Sequence, residues 1–343
     1  MRRNLRAFVS VQVLRDNAIS ICGGKMAAEV ELFVDEALGR YGFPHGHPFG
    51  PDRQDAFWKE AVKQGLPGRV DVRPSREAAR DEIERFHDDQ HVERVRVLSV
   101  EGYGSIDYGD TPAYPGVYDA SAHVVGAALD GLAHIMNGEC RRTFQPIGGL
   151  HHARRAGAAG FCVFNDCGVV IDTLRRQYGV RRVAYVDIDV HHGDGLYYPF
   201  EADPDFIYGD IHEDGRFLYP GTGHSHERGT GAGAGLKLNI PLQPGAGDHE
   251  FYAAWEHVVE HLRAHSPEFI VFQCGADSIA GDPLAHLRYT PQAHAHAARS
   301  LCGLANELAQ GRIMGFGGGG YNRGNLAAAW CAVLDEFVRG SEF

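Results

Sequence analysis

The run Val183-Ala184-Tyr185-Val186 leads directly into Asp187-Ile188-Asp189-Val190-His191-His192-Gly193-Asp194-Gly195, and no other stretch restricts the fold so tightly. Three carboxylates and two imidazoles fall within eight residues. Such a density is costly to bury without a metal ion or a tight hydrogen-bond network. A short β-branched run ending in such a cluster reads as a parallel strand that delivers ligands at its carboxyl end, where open α/β sheets build their sites. The pattern recurs downstream. Phe269-Ile270-Val271-Phe272 ends in Gln273-Cys274-Gly275-Ala276-Asp277, and Ile313-Met314-Gly315-Phe316 runs into Gly317-Gly318-Gly319-Gly320-Tyr321. Helices are predicted over 117–136, rich in small residues and so able to pack closely, over about 165–178 and over 325–338. A strand is predicted at 182–188. Strands alternating with helices, each strand ending in glycine and polar residues, argue for an α/β fold with one parallel sheet covered on both faces.

The amino-terminal third is less regular. Val30-Glu31-Leu32-Phe33-Val34 alternates like an edge strand, and Gly46-His47-Pro48 reads as a turn. Residues 55–63 and 75–86 look helical, the second with Ser75 placed to cap it and Glu77 close behind. A chain of 343 residues accommodates one large α/β domain or two average ones. No repeat, low-complexity tract or linker divides it, so the expected organisation is an extension over 1–28, a single domain over 29–339, and a cloning remnant over 340–343.

Hydrophobic content of 44% and charged content of 23% are those of a soluble globular protein. The net charge of −12 disfavours direct binding to nucleic-acid phosphate. Seven dispersed cysteines without a CxxC pair suit reduced thiols in a cytoplasm and give no zinc-thiolate site. The apolar stretches are too short for a membrane span, and Arg15, Asp16 and Asn17 interrupt the first one, against a signal peptide.

Asp189 and His191 are two apart, so at the end of an extended strand they project to the same side. Asp277 ends a different strand. If the strands are neighbours, the three converge on one metal with a position left open for water and substrate. The plainer alternative is a buried ion pair with Asp277 capping a helix. His151-His152, preceded by Gly148-Gly149-Leu150 and followed by Ala153, is either a chance surface pair in a chain of 20 histidines or an acid–base pair. Asp187 and Asp194 are carboxylates the metal does not need, and an acid–base imidazole needs an orienting carboxylate on its other nitrogen. The four glycines at 317–320 lack the Lys-Ser/Thr of a phosphate-binding loop. They serve a tight turn that lets the Tyr321 hydroxyl reach a site at the sheet edge, where a phenol stabilises a developing oxyanion.

Six motifs in order, Gly149-Leu150-His151-His152-Ala153, Gly160-Phe161-Cys162, the 187–195 run, Tyr219-Pro220-Gly221-Thr222-Gly223, Gln273–Asp277 with Gly281-Asp282-Pro283, and Gly317–Tyr321, resemble the histone deacetylase family, including its bacterial and archaeal acetoin-utilisation branch. The resemblance runs from about residue 29 to 338. It implies a three-layer arginase-like fold with a catalytic Zn²⁺ below a narrow tunnel, and lysine deacylation by metal-activated water. Carried over by motif position, Asp189, His191 and Asp277 resemble the metal ligands. His151 and His152 resemble the catalytic histidines, oriented by Asp187 and Asp194, and Tyr321 the oxyanion-stabilising tyrosine. Phe161, Tyr219 and Leu284 would line the acyl-lysine tunnel, Gly160 its rim, and Asp110 would grip the backbone of a peptide substrate. The family also implies a structural K⁺ or Na⁺ near Asp187, Asp189 and His191. There Asp210 stands where relatives commonly carry serine. Fe²⁺ or Mn²⁺ would also suit the ligands.

The expected substrate is an acyl-lysine peptide or protein. The alternatives are an acylated polyamine, or no turnover at all in a catalytically silent acyl-lysine-binding subunit. An oligomer is compatible with each. Glu213 is expected as a solvated loop carboxylate, with the tunnel mouth as its other placement.

Overall fold

The structure, a computed structural model, describes residues 29–340. The expected extension over 1–28 and all but the first residue of the expected remnant lie outside the described residues. Eight strands form one sheet: β1 (Val30–Phe33), β2 (Asp71–Arg73), β3 (Arg142–Gln145), β4 (Val183–Asp187), β5 (Phe206–Glu213), β6 (Lys237–Leu242), β7 (Phe269–Gln273) and β8 (Ile313–Phe316). Their order is β2-β1-β3-β8-β7-β4-β5-β6, and every neighbouring pair is parallel. The helices are α1 (Arg53–Lys63), α2 (Arg80–Ile83), α3 (Asp89–Glu101), α4 (Val117–Met136), α5 (Asp166–Tyr178), α6 (Asp194–Tyr197), α7 (Asp248–His265), α8 (Pro291–Leu308) and α9 (Arg323–Arg339).

The continuous apolar runs follow from burial on both faces. Along β4, Val183 and Tyr185 join the core under α3, α4 and α5, while Ala184 and Val186 join the core under α1, α7, α8 and α9. β7 divides in the same way, Phe269 and Val271 to one side, Ile270 and Phe272 to the other. A period of two with both phases apolar is the signature of a covered parallel sheet.

Neighbouring strands also end at one level. Gln145 is in register with Phe316, Phe316 with Gln273, Gln273 with Asp187, and Asp187 with Asp210. The loops after β3, β8, β7 and β4 therefore leave the sheet side by side. That row positions the site.

Two expectations are corrected. β1 is an interior strand, flanked by β2 and β3. Its alternation comes from Glu31, which is buried with Arg73 at 2.7 Å and His134 at 2.6 Å. Over 75–86 only α2 is α-helical. Ser75 instead gives its amide and hydroxyl to the Asp35 carboxylate, at 2.6 to 3.0 Å, and Glu82 accepts from the Ala79 amide at the actual helix start. The Gly340 carbonyl accepts from Arg142 at 2.8 Å at the end of α9.

Candidate active site

The loop after β3 turns through Gly149 and places His151 and His152 side by side. Both imidazoles are nearly fully buried, with Nε2 atoms 3.1 Å apart. His151 Nδ1 lies 2.8 Å from Asp187, and His152 Nδ1 lies 2.7 Å from Asp194. Both expected dyads are therefore formed. Tyr185 donates to Asp187 at 2.6 Å, whereas Arg154, its side chain 58% exposed, donates to the other oxygen of Asp194 at 2.7 Å. Burial pulls His151 down, but the charges of Asp187 and Asp189 outweigh it and leave it at about 9. Burial and the neighbouring His151 take His152 to about 4.

The loops after β4 and β7 bring Asp189, His191 and Asp277 together, with one ligand atom of each within 4.8 Å of the others. His191 Nδ1 sits 3.0 Å from Asp189 Oδ1 and 3.3 Å from Asp277 Oδ2. Asp189 Oδ2 is held by Gln273 and by the Gly319 amide, each at 2.8 Å. Asp277 Oδ1 accepts from the Val190 amide, but its buried Oδ2 has no hydrogen-bond partner among the described residues. Burial and the Asp189 charge push Asp277 up to about 7. An orphaned carboxylate oxygen facing a second carboxylate and an imidazole fits a divalent cation, and the two-oxygen, one-nitrogen set suits Zn²⁺, Fe²⁺ or Mn²⁺. The glycines leave no slack. A Cβ at Gly275 would overlap Asp189 Oδ2, and one at Gly319 would overlap Asp277 Oδ2.

Tyr321 is held from three sides. Asp282 accepts from its amide at 2.8 Å, and Arg53 donates to the carbonyls of Gly320 and Gly318 at 3.0 and 2.5 Å. Trp330 donates to the carbonyl of Gly317 at 2.9 Å. Two aromatic rings stand over the centre. Phe161 is 5.8 Å from the Tyr321 ring, and Tyr219 is 5.0 Å from His152 and 6.3 Å from His191. Phe161 holds a φ of 68°, a strained conformation for a residue with a side chain. Tyr41 donates to its carbonyl at 2.7 Å, and its amide donates to Thr111 at 3.1 Å. Gly160 precedes it, so close that a Cβ there would lie 2.5 Å from the His152 ring.

Thr111 links this wall to the expected rim. Its hydroxyl contacts Asp107 at 2.6 Å and Asp110 at 3.3 Å. Burial and the adjacent Asp107 raise Asp110 to about 6. Leu284 is half-buried, and its amide donates to Asp282 at 3.0 Å. Asp210 is fully buried beside Asp187, and its oxygens accept from His212 at 2.6 Å, the Gly193 amide at 3.0 Å and Tyr208. Glu213 corrects the expectation of a solvated carboxylate. It is the last residue of β5 and 1% exposed, bound to His286. Arg53, Thr111 and Tyr41 were not singled out by sequence reasoning. Each acts on residues far away in the chain and carries no local signal.

A model of the histone deacetylase domain matches residues 47–337. The acetoin utilization protein AcuC of Bacillus subtilis is 34% identical over 306 residues, covering 86% of this chain and 79% of that protein. Histone deacetylase RPD3 of Saccharomyces cerevisiae is 32% identical over 331 residues, covering 92% and 75%. The crystal structure of the HDA15 HD domain superposes with a TM-score of 0.84 at 30% identity, covering 91% of this chain and 89% of that one.

Proposed function

The chain belongs to the histone deacetylase family and is a hydrolytic deacetylase, and on that premise we propose that it removes acetyl or related short acyl groups from the side-chain amine of lysine in peptides and proteins. The observation that carries this reading is the convergence of Asp189, His191 and Asp277, whose buried Oδ2 makes no hydrogen bond among the described residues, within one row of strand ends from two complete His–Asp dyads. A divalent ion held by Asp189, His191 and Asp277, with Zn²⁺ as our choice, supplies Lewis acidity toward the amide carbonyl and acidifies a water molecule.

The chain's own groups do the rest. Asp194 fixes His152 through Nδ1, so His152 Nε2 is the atom free to take a proton from water. Asp187 fixes His151 in the same way, and the pair delivers a proton to the departing amine. Tyr321, held by Asp282 and Arg53, donates its hydroxyl to the oxyanion. Phe161 and Tyr219 flank the acyl-lysine stem and keep water from the reacting amide, and Gly160 lets the rim approach His152. Leu284 completes the wall, and Asp110 accepts from the backbone of a peptide substrate. A structural K⁺ or Na⁺ beside Asp187, Asp189, His191 and Asp210 belongs to the same proposal. It is supported by two buried carboxylates, Asp187 and Asp210, in register on adjacent strands.

The test is a matched panel of acetyl-lysine peptides, longer-acyl and lactyl-lysine peptides, and acetylpolyamines, with His152→Ala as control. Fastest turnover of an acyl-lysine peptide, abolished in the variant, is expected. Preference for the polyamines would overturn the substrate class, and no turnover with metal bound would favour a silent acyl-lysine binder.

A further inference from the structure

Glu213 is a carboxylate in an expensive position. Its side chain is wholly buried, and its ion-pair partner among the described residues is His286, whose own side chain is 63% exposed. Burying a carboxylate costs more than two hydrogen bonds to one surface residue return. The bonds are nevertheless well made: one oxygen accepts from the His286 amide at 2.9 Å, and the other contacts its Nδ1 at 2.8 Å.

The loop that His286 belongs to explains the arrangement. It leaves the metal site at Asp277 and returns at Tyr289, where Ala280 donates to the Tyr289 carbonyl and Tyr289 to the Ser278 carbonyl. Between these ends two carboxylates anchor the loop, beside backbone bonds from the Gly245 amide to the His286 carbonyl at 3.0 Å and from the Arg288 amide to the Ala246 carbonyl at 2.8 Å. Asp282 accepts from the amides of Leu284, Tyr321 and Asn322 at 3.0, 2.8 and 3.3 Å. Glu213 takes His286 from the opposite side. Its own amide donates to the Val190 carbonyl at 2.9 Å, one residue before His191. Leu284 lies midway, two residues from each anchor.

We propose that Glu213 is a positioning residue for the substrate wall: through His286 it fixes the loop that carries Leu284 and thereby sets how large an acyl group the enzyme admits. This rests on the acyl-lysine reading above. One anchor ties the wall to the Tyr321 loop and the other ties it to the strand end that carries His191. The width between wall and reacting centre is then set by β5 and not by a free loop. A group whose binding contacts are loosened loses affinity before it loses chemistry.

The test compares wild type with Glu213→Gln, His286→Ala and the double variant. Gln keeps one acceptor, and the alanine variant keeps the backbone bond, so both retain half the clamp. Amide hydrogen exchange over 278–288 should be faster in each variant and unchanged over β8. KM for an acetyl-lysine peptide should rise about three- to tenfold, the worth of one hydrogen bond, with kcat within about twofold. The preference for acetyl over butyryl should narrow, and the double variant should fall short of the product of the singles. Unchanged exchange overturns the clamp. Faster exchange with unaltered KM and acyl preference, or a loss confined to kcat, overturns its role toward substrate. A wild type that hydrolyses none of these peptides overturns the acyl-lysine reading and the substrate role with it, while the exchange comparison still decides the clamp.

Discussion

Two adjacent imidazoles in this site differ because the charges of Asp187 and Asp189 raise His151, while burial and the neighbouring His151 lower His152. Asp187 is held by Tyr185 and gives its charge to His151, whereas Asp194 shares its charge with Arg154. His151 is raised to about 9 and His152 lowered to about 4. The Tyr321 hydroxyl completes the set, and the backbone contacts that hold Tyr321 do not involve it. Tyr321→Phe should therefore unfold like wild type and lose about 100- to 1,000-fold in kcat, the usual effect of removing one oxyanion donor. Wild-type turnover in that variant would remove Tyr321 from the mechanism. Asp110 makes a pH prediction. Burial and Asp107 raise it to about 6, with the His47 ring on its carbonyl. The carboxylate form, which accepts from a peptide backbone, is lost as pH falls through that value. KM for peptides should rise below about pH 6, Asp110→Asn should flatten the profile, and acetylpolyamines should show no such trend. A pH-independent peptide KM contradicts the assigned grip.

At the scale of elements, the strand ends are close-packed around the ligands. Gly275→Ala and Gly319→Ala each drive a methyl into a ligand carboxylate. Both variants should purify with far less than one equivalent of metal, as elemental analysis would read, and full occupancy would contradict the packing. The elements that build this centre were legible in the sequence because β4, β7 and β8 are unbroken apolar runs ending in polar clusters. The helix at 117–136 was legible to the residue. β5 and β6 were not, since Gly209, Asp210, His212, Lys237, Asn239 and Pro241 interrupt their periodicity, while Asp210, His212, Lys237 and Asn239 find partners outside their own strands. Lys237, for example, is buried and donates to the carbonyls of Asp203 and Phe206 at 2.9 and 2.8 Å. The helical reading at 75–86 failed because the Asp35 carboxylate captures the residue expected to cap it. The proposed ligands, histidines and tyrosine could be singled out in the sequence because each sits within a few residues of a strand end. Arg53 and the Glu213–His286 clamp act across long separations in the chain, and only the fold brings them into place.

The whole molecule buries several histidines in neutral surroundings. His87, His91, His261 and His294 are all held below their ordinary value, in each case chiefly by burial, with His261 at about 4. In the unfolded chain each titrates near ~6.5. Below that pH the unfolded state binds protons that the folded state refuses, so stability falls as pH drops, by up to about 1.4 kcal/mol per pH unit for each group. The raised carboxyls Asp110 and Asp277 oppose this trend, so the test is by difference: Tm should fall less from pH 6.5 toward 5 in His261→Gln than in wild type, and identical profiles would contradict the burial of that ring. No helix among the described residues is long and apolar enough to cross a membrane. The most direct measurement of the central claim is acetate release from an acetyl-lysine peptide by metal-stripped protein titrated with Zn²⁺. We predict that activity is absent at the start, rises to a plateau at one equivalent, and does not appear in Asp277→Ala. Turnover by the stripped protein, or an Asp277→Ala variant as active as wild type, would contradict it.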